Sequence, residues 1–168
     1  MKRVIPQLST ERLLLKEITE KDTSLIVKWR SNPDVYKYFL SPYSLGAEEH
    51  LRWYYDKYKL DENCFNWMAI IKKTESRIGV FGIRKNECNM QSAEISYILA
   101  PEYQRKGYAQ EAVVQLMKFA RYDWRCVEIV AEIHVDNQDS LRFARNLGFN
   151  YVGRKGEFAL YKKQFNDI

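Results

Sequence analysis

Residues that build metal centres and disulfide frameworks are scarce in this chain. Its three cysteines, Cys64, Cys88 and Cys126, are odd in number and include no close C-x-x-C pair, which argues against a zinc site and against a disulfide scaffold. They are expected to be reduced and structural, and no metal is needed. No apolar run reaches the length of a membrane span, and the N-terminus lacks the apolar stretch of a signal peptide. Neither membrane insertion nor export is therefore expected, and the default compartment is the cytoplasm. The pattern G-x-x-x-x-G-K-[ST] does not occur, and Gly79-Val80-Phe81-Gly82 lacks the G-x-G-x-x-G spacing, so neither ATP nor a nicotinamide is supported as a ligand. No repeat, low-complexity tract, long linker or recognisable RNA or DNA module interrupts the chain.

What remains is an ordinary core-forming composition. With 46% hydrophobic residues in 168, the chain suits one domain, residues 1–168, built on a single core. A net charge of +5 suits an acidic partner, either a nucleic-acid surface or a pocket for a ligand carrying several phosphates. The pairs Lys72-Lys73, Arg84-Lys85 and Lys162-Lys163 are scattered, so a nucleic-acid partner is not expected.

Periodicity supplies an element order. Arg12 to Ile18 reads as a strand, and Thr19-Glu20-Lys21-Asp22 offers a helix start with a carboxylate three residues on, followed by a helix through Trp29. Ser31-Asn32-Pro33-Asp34 breaks that helix, and Ala47, Leu51, Tyr54 and Tyr58 mark a face of the next, leaving His50 at the surface. Asn66 to Ile71 and Arg77 to Lys85 read as a hairpin, and Ala93 to Leu99 alternates as a strand. Beyond it lie a helix from Gly107–Ala109, a strand at Val127 to Val135, a helix at Gln138 to Leu147 capped by Gly148, and a terminal hairpin around Lys155-Gly156. This mixed order predicts an α/β or α+β sheet covered by helices.

The most informative segment is Pro101-Glu102-Tyr103-Gln104-Arg105-Lys106-Gly107-Tyr108-Ala109, which joins a strand to an amphipathic helix through a small, cationic turn. Free N–H groups at a helix start attract anions, and Gly107 lets a ligand approach the main chain with no Cβ in the way. Together with Thr10-Glu11-Arg12-Leu13-Leu14-Leu15 and Asn146-Leu147-Gly148-Phe149, this turn makes nearly the whole chain resemble the GCN5-related N-acetyltransferase (GNAT) superfamily, in particular its RimJ/RimL-type branch. The resemblance implies the acyl-CoA N-acyltransferase fold, a mixed central sheet splayed in the middle and flanked by helices. It implies acetyl-coenzyme A as cosubstrate, with its diphosphate on Gln104, Arg105, Lys106, Gly107, Tyr108 and Ala109. It also places the pantetheine arm beside Ile98 and Leu99 and bonds it to Asn137.

Direct acetyl transfer needs an uncharged amine, a stabilised oxyanion and a protonated thiolate leaving group. Glu94 is the preferred general base, set against a salt-bridged or solvated strand carboxylate. Ser140 is the candidate proton donor, because relatives that use a tyrosine seven residues after the asparagine have Ala144 as their counterpart here. Asn137 and Ser140 equally suit the cap and first turn of a helix. His134 reads as structural. The acceptor pocket is expected around Trp29, Arg30, Asn32 and Tyr38, with Tyr36, Phe39 and Trp53 as further aromatics that would serve as well in a core. The favoured acceptor is a peptide or protein N-terminus. Trp-Arg-Ser-Asn-Pro also resembles the opening of nucleotide-linked amino-sugar acetyltransferases, so sugars and polyamines stay open. A non-catalytic coenzyme A sensor is the rival of another class, and a monomer or homodimer is the expected state.

Overall fold

The computed structural model describes residues 3–166. The strands are β1 (Leu8–Ser9), β2 (Leu13–Glu17), β3 (Cys64–Ile71), β4 (Arg77–Asn86), β5 (Asn89–Leu99), β6 (Glu128–His134), β7 (Asn150–Lys155) and β8 (Phe158–Gln164). The helices are α1 (Thr23–Arg30), α2 (Pro33–Tyr36), α3 (Ala47–Asp56), α4 (Tyr108–Tyr122) and α5 (Gln138–Asn146). All eight strands form one mixed sheet in the order β1-β2-β3-β4-β5-β6-β8-β7. Only β5 and β6 run parallel, as expected of two strands joined through a helix rather than a tight turn.

Side-chain alternation decides what each face does. Phe65 and Trp67 of β3 pack against Phe119 of α4, with ring centroids 5.9 and 5.4 Å apart, so the odd-numbered residues of β3 face that helix. Ala112, Val113, Leu116, Phe119 and Ala120 bury the matching stripe of α4. Each large aliphatic among them contributes roughly 2 kcal/mol through burial. The opposite face is covered by α1 and α3, whose Ile26, Trp29 and Tyr54 join the core. Among the described residues, no helix is long and apolar enough to cross a membrane.

The helix ends follow their local chemistry. Thr19 and Asp22 form a reciprocal capping box, in which the Thr19 amide donates to Asp22 Oδ2 at 2.8 Å. Gly148, at φ +82°, closes α5 by donating to the Arg145 carbonyl, while Phe149 donates to that of Ala144.

Several expectations change. Asn32 caps a short extra helix, α2, by accepting from the Asp34 amide at 3.0 Å. The buried stripe of α3 centres on His50 and Tyr54, and Tyr58 lies in a 3-10 turn beyond the helix. His50 is thus inside the protein, its Nδ1 3.1 Å from Thr23 Oγ1 and its Nε2 unpartnered among the described residues. Burial, then nearby Arg30, lowers its pKa and favours the neutral ring. Cys64 and Cys126 are buried, Cys88 is exposed, and all three are free thiols.

Candidate active site

At the start of α4 the chain makes a left-handed turn twice, at Arg105 (φ +60°) and Gly107 (φ +82°). Alternation of this kind draws successive amides into a concave nest that binds anions. Among the described residues, the amides of 105–110 donate to no carbonyl of the turn, and the first bond into the helix runs from Glu111 N to Gly107 O at 3.1 Å. Gln104 stays at the rim, its Nε2 donating to Leu99 O at 3.1 Å. Arg105 projects into solvent and reaches Asp139 at the start of α5, 3.7 Å away. Six amides without a partner in the turn, two neighbouring cations and the positive end of a 15-residue helix give this turn the chemistry that attracts an anion.

Beside the turn the sheet opens. β5 and β6 pair only through Ser92–Glu128, Ala93–Ile129 and Glu94–Val130, although both strands continue beyond that point. A polar knot fastens the closed end, where Glu128 accepts from Lys162 at 3.0 Å and Gln164 at 2.8 Å. The open end leaves a wedge whose walls carry unpaired backbone groups. Ala100 N donates to Ile78 O at 2.9 Å, and this sets the alternation along β5: Ile98 exchanges its bonds with Val80, while Tyr97 and Leu99 turn theirs toward the wedge. Leu99 therefore turns its N–H toward the wedge, while its carbonyl accepts from Gln104. Ile98, also expected to pair with an inserted chain, does not, because its peptide groups are spent within the sheet, and Tyr97 takes its place.

The two faces of the wedge differ in chemistry. On the α3 side a cavity of about 330 Å³ is lined by Trp53, Asn66, Arg84, Glu94 and Ser96, with Leu40 at its edge. Sheet register builds this wall: Cys64, Arg84 and Glu94 form one cross-strand row, and Asn66, Gly82 and Ser96 the next. Gly82 leaves room for the Asn66 side chain, whose amide oxygen a Cβ there would displace. The Glu94 carboxylate is open to solvent at the mouth, yet protein surrounds it closely enough to raise its pKa. Partial burial is the main cause, then the like charge of Glu132 on β6, against the opposing pull of Arg84 and Lys155. A carboxylate displaced toward neutrality is a stronger base that is still able to ionise.

On the α5 side the Asn137 side chain caps the helix, accepting from the Ser140 amide at 3.2 Å. Its expected cap role is present. The Ser140 hydroxyl is near enough to the Tyr97 phenol to influence its ionisation. Tyr97 is fixed between Phe81, stacked at 5.3 Å, and the edge of Phe143 at 5.7 Å. Burial pushes its pKa up to about 12, and Ser140 works against that rise, so at neutral pH the phenol keeps its proton and has one to donate. Glu94 and Ser140 thus flank one opening from opposite faces of the sheet. Ala144 is buried in the α5 seam, where no tyrosine hydroxyl is supplied.

The expected acceptor residues divide. Trp29 is a correction, since it is only 5% exposed and packs into the core rather than lining the cavity. Asn32 is occupied as a cap. Arg30 is held over the Phe39 ring at 4.5 Å. Tyr38 lies with its ring 5.4 Å from that of His134, the last residue of β6. His134 itself accepts from the Asp136 amide at 3.2 Å, which ties it to the turn after β6. Asn66, Arg84, Ser96, Tyr97 and Glu132 were not anticipated. The signal for the first three lies in strand register, which no single segment displays.

Known proteins share the family and the fold. The family described as "Acetyltransferase (GNAT) domain" matches residues 12–150. The N-acetyltransferase p20 of Bacillus licheniformis is 25% identical over 163 residues, which is 96% of this chain and 92% of that protein. Among solved structures, the Vibrio cholerae spermidine N-acetyltransferase, determined with CoA and spermine, superposes with a TM-score of 0.76 at 21% identity, covering 90% of this chain and 93% of that one. The nucleotide-linked sugar GNAT FdhC gives 0.79 at 18% identity, over 96% and 91% of the two chains.

Proposed function

Because the chain belongs to the GNAT acetyltransferase family and is an acetyl-CoA-dependent N-acetyltransferase, we propose that it acetylates a primary amine entering by the α3-side cavity, with a peptide or protein N-terminus as the favoured acceptor. The observation that carries this is the wedge between β5 and β6, flanked by a carboxylate on one face and hydroxyls on the other.

Acetyl-CoA supplies an activated acyl group on a thiol leaving group. The chain's own residues do the rest. The amides of the turn at 105–110 hold the diphosphate, and the wedge-facing groups of Tyr97 and Leu99, with Asn137, align the arm. A main-chain N–H on β5 stabilises the oxyanion. Glu94 takes a proton from the amine, and Ser140, backed by the Tyr97 phenol, gives one to the departing thiolate.

The cavity favours some acceptors over others. Asn66 and Ser96 offer donors and acceptors suited to peptide groups, and an α-amine near pKa 8 is about one-tenth neutral at pH 7, so one carboxylate suffices as base. The guanidinium of Arg84 opposes a polycation such as spermine, the ligand of the Vibrio protein. A nucleotide-linked amino sugar is the second reading. It is favoured by the two cations, Arg84 and Lys155, that act on Glu94 and would compensate a diphosphate linkage.

Free-thiol release measured over N-terminal peptides, nucleotide-linked amino sugars and polyamines is expected to give the highest kcat/KM with a peptide. A sugar in first place would establish the second reading, and acetyl-CoA binding without thiol release in the presence of any of these amines would leave a coenzyme A sensor. Ser140→Ala is expected to lower kcat by on the order of a hundredfold while leaving coenzyme A affinity near wild type. Unchanged kcat would return Ser140 to the first turn of α5.

A further inference from the structure

The segment before β2 has so far no part in the chemistry, yet it reaches the diphosphate turn. The Arg12 guanidinium donates through Nε to Glu111 Oε2 at 2.7 Å and through Nη1 to the Lys106 carbonyl at 3.1 Å. It also lies over the Tyr108 ring, 4.4 Å from its centroid. Glu111, on the first turn of α4, gathers the Arg12 amide at 2.7 Å and the Thr10 hydroxyl, so the first and last of the three residues connecting β1 to β2 grip the same carboxylate. Partial burial works against ionisation of Glu111, but these three donors together hold its pKa below the usual carboxylate value. On its other side Arg12 is anchored by the sheet, its carbonyl accepting from Lys72 N at 2.9 Å.

We infer that Arg12 is a positioning residue for acetyl-CoA, holding the Lys106–Gly107 peptide so that the turn keeps its anion-binding shape. In a trans peptide the carbonyl and the following N–H point in opposite directions. Fixing the Lys106 oxygen toward Arg12 therefore aims the Gly107 N–H at the other side, into the concave nest. The turn needs such a hold because Arg105 occupies a left-handed conformation that side chains other than glycine rarely adopt, and six unpartnered amides give it no internal bonding. The planar fork of arginine can bind a carboxylate and a carbonyl at once, which a lysine ammonium does not reproduce.

This inference rests on the reading of the turn as a diphosphate site, and its test separates the two. Calorimetric binding of CoA and of pantetheine, which lacks the diphosphate, is compared across variants. Arg12→Ala is expected to weaken CoA by about tenfold or more, the usual scale of one charge-assisted bond, and to leave pantetheine unaffected. Arg12→Lys keeps the charge and is expected to behave as Arg12→Ala does. Glu111→Gln leaves Arg12 in place but loosens it, with an intermediate loss of CoA affinity and none for pantetheine. Equal weakening of both ligands would mark Arg12 as a fold residue only, and full recovery in Arg12→Lys would replace positioning by simple attraction; either overturns the inference. A wild-type protein that binds pantetheine and CoA equally would overturn the diphosphate site itself.

Discussion

Gly107→Val is expected to abolish measurable affinity for coenzyme A while the protein stays folded. Two independent effects act at this position. Gly107 sits at φ +82°, a region that costs an L-residue roughly 1–2 kcal/mol and a β-branched one more. A Cβ there would also stand 3.2 Å from an Arg12 Nη atom, so the substitution disturbs the neighbour that holds the turn. The larger consequence falls on the ligand. An isopropyl group over the nest keeps phosphate oxygens from the amides on either side, and loss of two charge-assisted bonds corresponds to at least about a hundredfold in affinity. The turn lies on the surface outside the core, so melting temperature should fall far less than binding does. Gly107→Ala keeps the strain with less bulk and is expected to fall between valine and wild type. Calorimetry with coenzyme A checks this series, and a valine variant that binds as wild type does would show that the diphosphate lies elsewhere.

That prediction uses a feature legible in one short segment. A strand, a proline stop, a cationic small-residue turn and a helical stripe follow each other within Ala93 to Ala120, and the structure reproduces each in turn. The caps were equally legible, since Thr19, Asn137 and Gly148 act on residues two to four positions away. What stayed hidden depends on partners distant in sequence. Alternation along β5 sorts Glu94 from Tyr97, but the pairing with β4 decides that Tyr97 rather than Ile98 turns its peptide groups to the wedge. The row of Asn66, Gly82 and Ser96 exists only once three strands are in register. Helix α3 shows the same limit: of the face expected through Ala47, Leu51, Tyr54 and Tyr58, the two tyrosines are buried while Ala47 is exposed and Leu51 half-buried, and packing on α1 buries His50 against Thr23 as well. An imidazole paired with a threonine hydroxyl is not visible as an apolar position, so periodicity placed it outside.

Glu94→Gln is expected to lower kcat by on the order of a hundredfold near pH 7, the ordinary scale of base catalysis, with coenzyme A affinity unchanged because the carboxylate lies on the face of the sheet away from α4 and α5. The pH dependence has a sign. In the wild type kcat/KM falls on the acid side as Glu94 takes up a proton, and that limb sits above the ordinary carboxylate range because burial and Glu132 raise the Glu94 pKa. In the glutamine variant this limb disappears, and the rate follows the neutral fraction of the amine, rising until about pH 8 for an α-amine. The gap between the two enzymes should therefore narrow as pH increases, since an amine already neutral needs no base. Glu132→Gln supplies the converse. Removing the like charge lowers the Glu94 pKa, so the acid limb moves to lower pH while maximal kcat holds. A glutamine variant with wild-type turnover, or an acid limb that moves upward in Glu132→Gln, would deny Glu94 the proton and leave it as a surface partner of Arg84.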